Sequence, residues 1–349
     1  MERILIPIFT SHARSLSKAF HRADQGMSTN ASPGAADDND ELIYDMVSLM
    51  RIYRSGRVER FEPFEFVPPS ADPATGVESE DIVINPTTGI SVRFYRPLSA
   101  APIGRRRNLP ILVYFHGGGF CVHRPSSAHY HNYLNILTGK ANILAVSVDY
   151  RLAPEHPLPI AYDDSWEALQ WVLGGGCGGE GDCDRVILAG DSAGGNIVHN
   201  LCMRLGSEGR KVEGMVLANP FFWGKERIGV EQGKAREGSI LNISVLDQWW
   251  SILFPALAGL DDPRLNPVAE GAPSLANLGC GRVLICAGEK DLLVDRARIY
   301  CEKLRDSGWG GEVEITVAGG KDHGYFLEYP GSREAEAFLE SFVSFCNKV

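Results

Sequence analysis

The order of apolar runs predicts an α/β fold: a mostly parallel sheet entered through antiparallel strands, with helices on its faces. Two observations carry this. Short apolar runs recur along the chain at residues 65–67, 81–84, 91–95, 109–115, 143–149, 186–189, 215–218, 283–287 and 313–317. The early ones follow one another like hairpins, whereas helical patterns separate most of the later ones, clearest at 162–173, 196–205, 295–306 and 334–347.

Ahead of the sheet, residues 41–53 place Leu42, Ile43, Met46, Leu49, Met50 and Tyr53 at the spacing of one helix face. Residues 221–263 interrupt the β–α alternation and carry Trp223, Trp249, Trp250 and Phe254. An aromatic insertion of that length between two core strands is expected to form a cap over the carboxyl edge of the sheet. The main body is thus residues 41–349. Residues 1–40 read as a flexible extension. Its first part, with Arg3, Arg14, Lys18 and Arg22 but only two acids, resembles a weak organelle transit peptide. The preferred reading is a disordered leader, or initiation near Met27, in a cytoplasmic protein.

Bulk properties remove several classes. The net charge of −10 argues against nucleic acid, whose phosphates require a surplus of Lys and Arg. No apolar run approaches the roughly 18 residues of a membrane span. The eight cysteines lack metal-ligand spacing and read as reduced thiols. Oligomeric state is not legible.

Chemistry concentrates in four loops, each after an apolar run. Residues 190–195 read Gly-Asp-Ser-Ala-Gly-Gly, a G-x-S-x-G turn that presents Ser192 between a strand and a helix. Alone it is weak: 38 glycines make about 0.2–0.3 such matches expected by chance. Residues 115–120 read Phe-His-Gly-Gly-Gly-Phe. Three successive glycines leave backbone N–H groups open to a developing oxyanion, and each fixed donor lowers such a barrier by about 3–4 kcal/mol. Gly118 and Gly119 are the expected donors, with the Ala193 N–H third. Gly117 allows the turn and His116 braces the loop. A phosphate loop is disfavoured, because neither Lys-Ser/Thr nor G-x-G-x-x-G is present.

Asp291 lies just past the run 283–287, where open α/β sheets keep their sites; Glu289 and Asp295 are its rivals. His323 follows the last strand-like run and precedes the final helix. In the order Ser192, Asp291, His323 these residues suit a nucleophile, an orienting acid and a general base. Neither metal nor cofactor is required. The acyl pocket is expected to be small to medium, walled by residues such as Trp223 and Trp249.

With these motifs in view, the chain resembles the hormone-sensitive-lipase-like branch of α/β-hydrolases, and within it is similar to the plant carboxylesterases. The resemblance runs from about Leu42 to the C-terminus. It rests on Leu49-Met-Arg-Ile-Tyr-Arg-Ser-Gly-Arg57, Val113-Tyr-Phe-His-Gly-Gly-Gly-Phe120, Ser147-Val-Asp-Tyr-Arg-Leu-Ala-Pro-Glu-His-Pro157, Asp163-Asp-Ser-Trp166, Gly190-Asp-Ser-Ala-Gly-Gly-Asn196, Phe221-Phe-Trp-Gly-Lys225 and Asp322-His323-Gly324. It implies the α/β-hydrolase fold, an eight-stranded sheet with a helical cap formed partly by residues 41–60 and partly by residues 221–263, a small-molecule ester as substrate, and a bracing role for Tyr150, Arg151 and Glu155. Two features depart from it: the Gly-rich loop 174–184 is shorter than the helical stretch relatives carry there, and residues 1–40 have no counterpart. Gibberellin receptors share the resemblance but lose the histidine, so His323 argues for turnover. 2-Hydroxyisoflavanone dehydratases and lactone-forming enzymes use much the same constellation and remain alternatives. With His323 as base, kcat/KM is expected to fall as pH drops through the mid-6 range.

Overall fold

The computed structural model describes residues 40–46, 49–61, 65–98, 108–233, 239, 241–255 and 259–348. The suggested leader at 1–39 therefore lies outside the described residues. The core is a mixed sheet of order β12-β11-β10-β9-β7-β8-β6-β5-β4. Its strands are β4 (Ala71–Asp72), β5 (Val77–Asn85), β6 (Ile90–Pro97), β7 (Leu109–Phe115), β8 (Leu144–Asp149), β9 (Gly181–Asp191), β10 (Gly214–Ala218), β11 (Arg282–Gly288) and β12 (Glu312–Ala318). Strands β7 to β12 pair in parallel, and β4, β5 and β6 enter antiparallel. The eight strands implied by the resemblance are β5 to β12, and β4 adds a two-residue ninth.

Helices on both faces bury the parallel strands, which is why those strands read as unbroken apolar runs. All seven residues of β7 are buried. One face carries α1 (Ala128–Ala141), α6 (Tyr325–Glu328) and α7 (Arg333–Asn347), whose Tyr133, Phe326 and Phe338 share a core with Leu112 and Ile187. The other carries α2 (Ile160–Leu173), α3 (Ala193–Ser207) and α5 (Val294–Asp306), together with α4 (Ile243–Leu253). Helix α1 has no clear signature in the sequence, because its buried face mixes His131, Asn135 and Thr138 with its apolar residues. Among the described residues no helix is long and apolar enough to cross a membrane, and all eight cysteines are free thiols.

Two expected elements are corrected. Residues 65–67 join no sheet: Phe66 makes an isolated bridge to Ser127, just before α1. Residues 41–53 are not a helix. They form β1 (Leu42–Met46) and β2 (Met50–Tyr53), which with β3 (Val58–Arg60) make a separate antiparallel sheet. The helical spacing counted Leu42, Ile43 and Tyr53 but passed over Tyr44 and Ile52. The buried residues are Tyr44, Met46, Met50 and Ile52, the alternate positions of two strands. Leu42 and Ile43 are exposed. The pairing is reinforced across the strands, where Asp45 faces Arg51 with a 3.1 Å ion pair.

This sheet docks on the loops above the main sheet. Arg60 Nε donates to the Cys121 carbonyl at 2.7 Å, and its guanidinium pairs with Glu155. The Tyr44 ring lies 5.4 Å from Trp249 of α4. Loop 174–180 carries turns between α2 and β9, and β9 meets β7 from Gly181 onward.

The strand assignment is tested by truncation. Ile52→Ala is expected to cost about 2–4 kcal/mol in chemical denaturation, as a buried large-to-small change. Leu42→Ala, at an exposed position, is expected to stay within about 0.5 kcal/mol. Equal costs at both positions would contradict the alternation.

Candidate active site

Five strands deliver the site, all at their carboxyl ends, where parallel α/β sheets present loops to solvent. β7 runs into His116 and the three glycines, β9 into Ser192, β10 into Asn219, β11 into Asp291 and β12 into His323. Adjacent parallel strands set the spacing: β9 pairs with β10, β10 with β11 and β11 with β12.

Ser192 has φ 51° and ψ −116°, a region that side-chain-bearing residues rarely adopt. Its backbone is held on both sides. The Ser192 N–H donates to Ala218 O at 2.9 Å, while its carbonyl accepts from Phe221 N at 2.9 Å and Asn196 N at 3.1 Å. The turn needs glycine at its flanks: a Cβ on Gly194 would lie 1.9 Å from Phe115 O, and one on Gly190 2.4 Å from the Gly194 carbonyl carbon. Ala193 opens α3, whose first amides have no acceptor within the helix.

The acid–histidine pair is fixed from several directions. His323 Nδ1 lies 2.9 Å from Asp291 Oδ2. Asp291 is fully buried and also accepts from Asn219 Nδ2 at 2.5 Å and from the Leu293 N–H at 2.9 Å. Three donors on one carboxylate set both its rotamer and the ring plane of His323. The rivals are engaged elsewhere: Glu289 accepts from Gly320 N, and Asp295 from Val230 N and Arg298. Burial alone would lower the His323 pKa, but the charge and hydrogen bond of Asp291, aided by the charge of Asp191, raise it above its ordinary value. Nε2 of His323 makes no hydrogen bond among the described residues.

The glycine loop lies against the Ser192 turn. The Gly117 N–H donates to Asp191 Oδ1 at 3.0 Å and approaches the Tyr130 hydroxyl at 2.8 Å. A Cβ at Gly117 would sit 2.3 Å from Asp191 Oδ2, so this approach admits only glycine. Gly118 and Gly119 have φ of +93° and +61°. Neither of their amides has an acceptor among the described residues, leaving two open donors. His116 is buried and acts as a brace. Its Nδ1–H donates to Gly117 O at 2.8 Å, and its ring stacks on Tyr150 at 4.3 Å, whose hydroxyl donates to His116 O at 2.7 Å. Burial drives the His116 pKa down to about 3, so the ring is neutral. Ala153 N donates to Phe120 O, while Arg151 pairs with Asp164 and Glu155 with Arg60.

The structure thus brings together Ser192, Ala193, Asp291, His323 and residues 116–119 at one edge of the sheet. Sequence reasoning missed Asp191, Asn219 and Tyr130. Asp191 is 5% exposed and accepts from Tyr114 Oη at 2.9 Å and Tyr130 Oη at 2.8 Å as well as from Gly117 N. Burial pushes its carboxyl up to about 6, against the pull of these donors. The only available signal was an acid placed immediately before Ser192, at the end of a buried strand. The expected pocket walls also differ. Trp223 and Trp249 are 0% and 1% exposed, and their indole N–H groups donate to Asp247 and Gly119 O. They are packed supports rather than open walls.

The chain matches characterised families over most of its length. Residues 112–327 match the family described by the alpha/beta hydrolase fold. The chain is 42% identical to a probable carboxylesterase 2 of Arabidopsis thaliana, over 88% of this chain and 98% of that protein. It is 39% identical to a 2-hydroxyisoflavanone dehydratase of Glycyrrhiza echinata, over 90% of this chain and 99% of that protein. Among solved structures it is similar to EstE1, a thermophilic carboxylesterase cloned from a metagenomic library, with TM-score 0.67 and 28% identity, covering 80% of this chain and 90% of that one. Strand order, turn geometry and these likenesses agree: the chain belongs to the alpha/beta-hydrolase-fold family and, within it, to the plant carboxylesterase group.

Proposed function

We propose that this protein is a serine carboxylesterase that cleaves a small-molecule ester through an acyl-Ser192 intermediate, without metal or cofactor. The observation that carries the reading is the His323 imidazole, pinned through Nδ1 by a buried Asp291 at the strand edge where Ser192 sits on a strained turn. With Nδ1 committed, Nε2 is the nitrogen that takes the Ser192 proton as the hydroxyl attacks the ester carbonyl. Asp291 stabilises the imidazolium so formed. The carbonyl oxygen gains charge, which the amides of Gly118, Gly119 and Ala193 receive, and the α3 dipole favours it further. His323 then protonates the leaving alkoxide. Water, deprotonated by the same nitrogen, hydrolyses the acyl enzyme and restores the site. Residues 41–60 and the α4 segment together serve as the cap that limits water and shapes the substrate space.

The dehydratase relative favours a second reading. A hydroxy ketone whose carbonyl accepts from the same amides, with His323 as base, would lose water without an acyl enzyme. A 2-hydroxyisoflavanone assay separates the two: dehydration that persists in Ser192→Ala, with no ester turnover by the native protein, favours that reading.

Two outcomes test the esterase mechanism. A fluorophosphonate is expected to label Ser192, located by mass spectrometry, and Ser192→Ala to lower kcat on p-nitrophenyl acyl esters by about 10⁴-fold or more; an unaffected kcat would refute the nucleophile. The acid limb of kcat/KM is expected to inflect above 6.5. The active base is neutral His323, and a raised pKa keeps the ring protonated to higher pH. Asp191→Asn removes one charge that raises this pKa and is expected to move the inflection to lower pH with a reduced plateau. A limb unmoved by Asp191→Asn would contradict the electrostatic assignment.

A further inference from the structure

Open amides make an oxyanion site only if they stay aimed at one point, so what holds each residue of the glycine loop matters. Gly117 is fixed by Asp191 and Tyr130, both parts of the hydrolase body. Gly118 is fixed by its own turn: its carbonyl accepts from Cys121 N at 3.0 Å and Val122 N at 3.1 Å. Gly119 is held differently. Its carbonyl accepts from Trp249 Nε1 at 2.9 Å, and Trp249 belongs to α4 rather than to the sheet's own loops.

The indole also occupies the space where a Gly119 side chain would be. A Cβ there would lie 2.9 Å from Trp249 Nε1 and 3.0 Å from Cζ2. Gly119, with φ +61° and no side chain, has no rotational restraint of its own. The Gly119 N–H shares the peptide plane of the Gly118 carbonyl, which the turn holds. The hydrogen bond from Trp249 fixes the next plane through ψ of Gly119, and the ring limits displacement of the Gly119 Cα, so Trp249 closes the turn on its open side. The neighbouring indole provides a contrast: Trp250 is equally buried, yet its N–H has no acceptor among the described residues.

Helix α4 is tethered at three points along its length. Tyr44 Oη donates to Val245 O at 3.4 Å, Asp247 accepts from Trp223 Nε1 at 2.9 Å and from Arg227, and Leu158 N donates to Leu253 O at 2.8 Å. Tyr44, from the N-terminal sheet, also packs on Trp249. The position of Gly119 therefore depends on two segments outside the main sheet.

We propose that Trp249 is a positioning residue that holds the turn carrying the Gly118 and Gly119 amides, by fixing the Gly119–Phe120 peptide and the place of the Gly119 Cα, so that seating of the α4 segment and completion of the oxyanion site are one event. The inference rests on the esterase reading of Ser192. Trp249 touches no reacting atom. Its contribution is expressed only when charge develops on the carbonyl oxygen, because that is when the aim of the amide counts.

The test deletes the donor and keeps the ring. Trp249→Phe is expected to lower kcat on p-nitrophenyl butyrate by about 10- to 100-fold, up to the effect of losing one whole oxyanion donor, with KM changed less than about threefold. The Ki of a trifluoromethyl ketone, which forms a tetrahedral adduct on Ser192, is expected to rise by the same factor as kcat/KM falls, while the Ki of the product carboxylate stays constant. If the Phe variant fails to fold, 3-benzothienylalanine at position 249 places sulfur where the N–H was in the same shape, and the same expectations apply. A change confined to KM, or a ketone Ki that stays at the native value, would overturn the inference. Fluorophosphonate labelling of the native protein separates the two failures. Labelled native protein with an unaltered Trp249→Phe variant defeats this inference alone, whereas unlabelled native protein defeats it together with the esterase reading.

Discussion

The Asp191 carboxylate joins the two halves of the site. It ends β9, immediately before Ser192, and accepts hydrogen bonds from Tyr114 on β7, Tyr130 on α1 and the Gly117 amide. A buried carboxylate is costly unless its lone pairs are occupied, and here three donors occupy them. The same bonds fix the glycine loop against the turn that carries Ser192. Gly117 follows from this contact, since any side chain there would strike the carboxylate. Asp191 also contributes to the field that keeps the His323 pKa high. The aim of the donors, the approach of the loop and the basicity of the imidazole therefore share one group.

Around that group the fold does ordinary work. Parallel strands end in register, so loops far apart in sequence emerge side by side, and the sheet twist and helix packing need no special provision for the site. Strain at the Ser192 turn is offset by three backbone hydrogen bonds and close glycine contacts. The outer layer contributes too. The N-terminal sheet and α4 reach the glycine loop through Arg60 to the Cys121 carbonyl and Trp249 to the Gly119 carbonyl.

Much of this was legible in the sequence, for physical reasons. Strands buried on both faces leave continuous apolar runs, so β7 to β12 stood out, and local turn chemistry made Ser192 and residues 116–119 visible. Asp291 and His323 followed from their places after strands. The N-terminal sheet was not legible, because nine apolar residues in thirteen satisfy a helix as readily as two short strands, and the decision lies in the burial of Ile52 and of Tyr44, which packs on Trp249 of α4. Asp191 and Asn219 escaped, and Trp249 was read as a pocket wall, for a different reason. Each acts through a hydrogen bond to a residue 72 to 130 positions away or in a distant loop, and no local pattern encodes such a partner.

The central claim is that open amides of the glycine loop and of α3 converge on the atom bonded to Ser192. A crystal structure of the phosphonylated protein measures this directly. The account predicts a phosphoryl oxygen about 2.7–3.1 Å from the amides of Gly118, Gly119 and Ala193, with His323 Nε2 within hydrogen-bonding reach of the Ser192 oxygen or the leaving-group side. A phosphoryl oxygen turned toward solvent, with those three amides facing elsewhere, would contradict it.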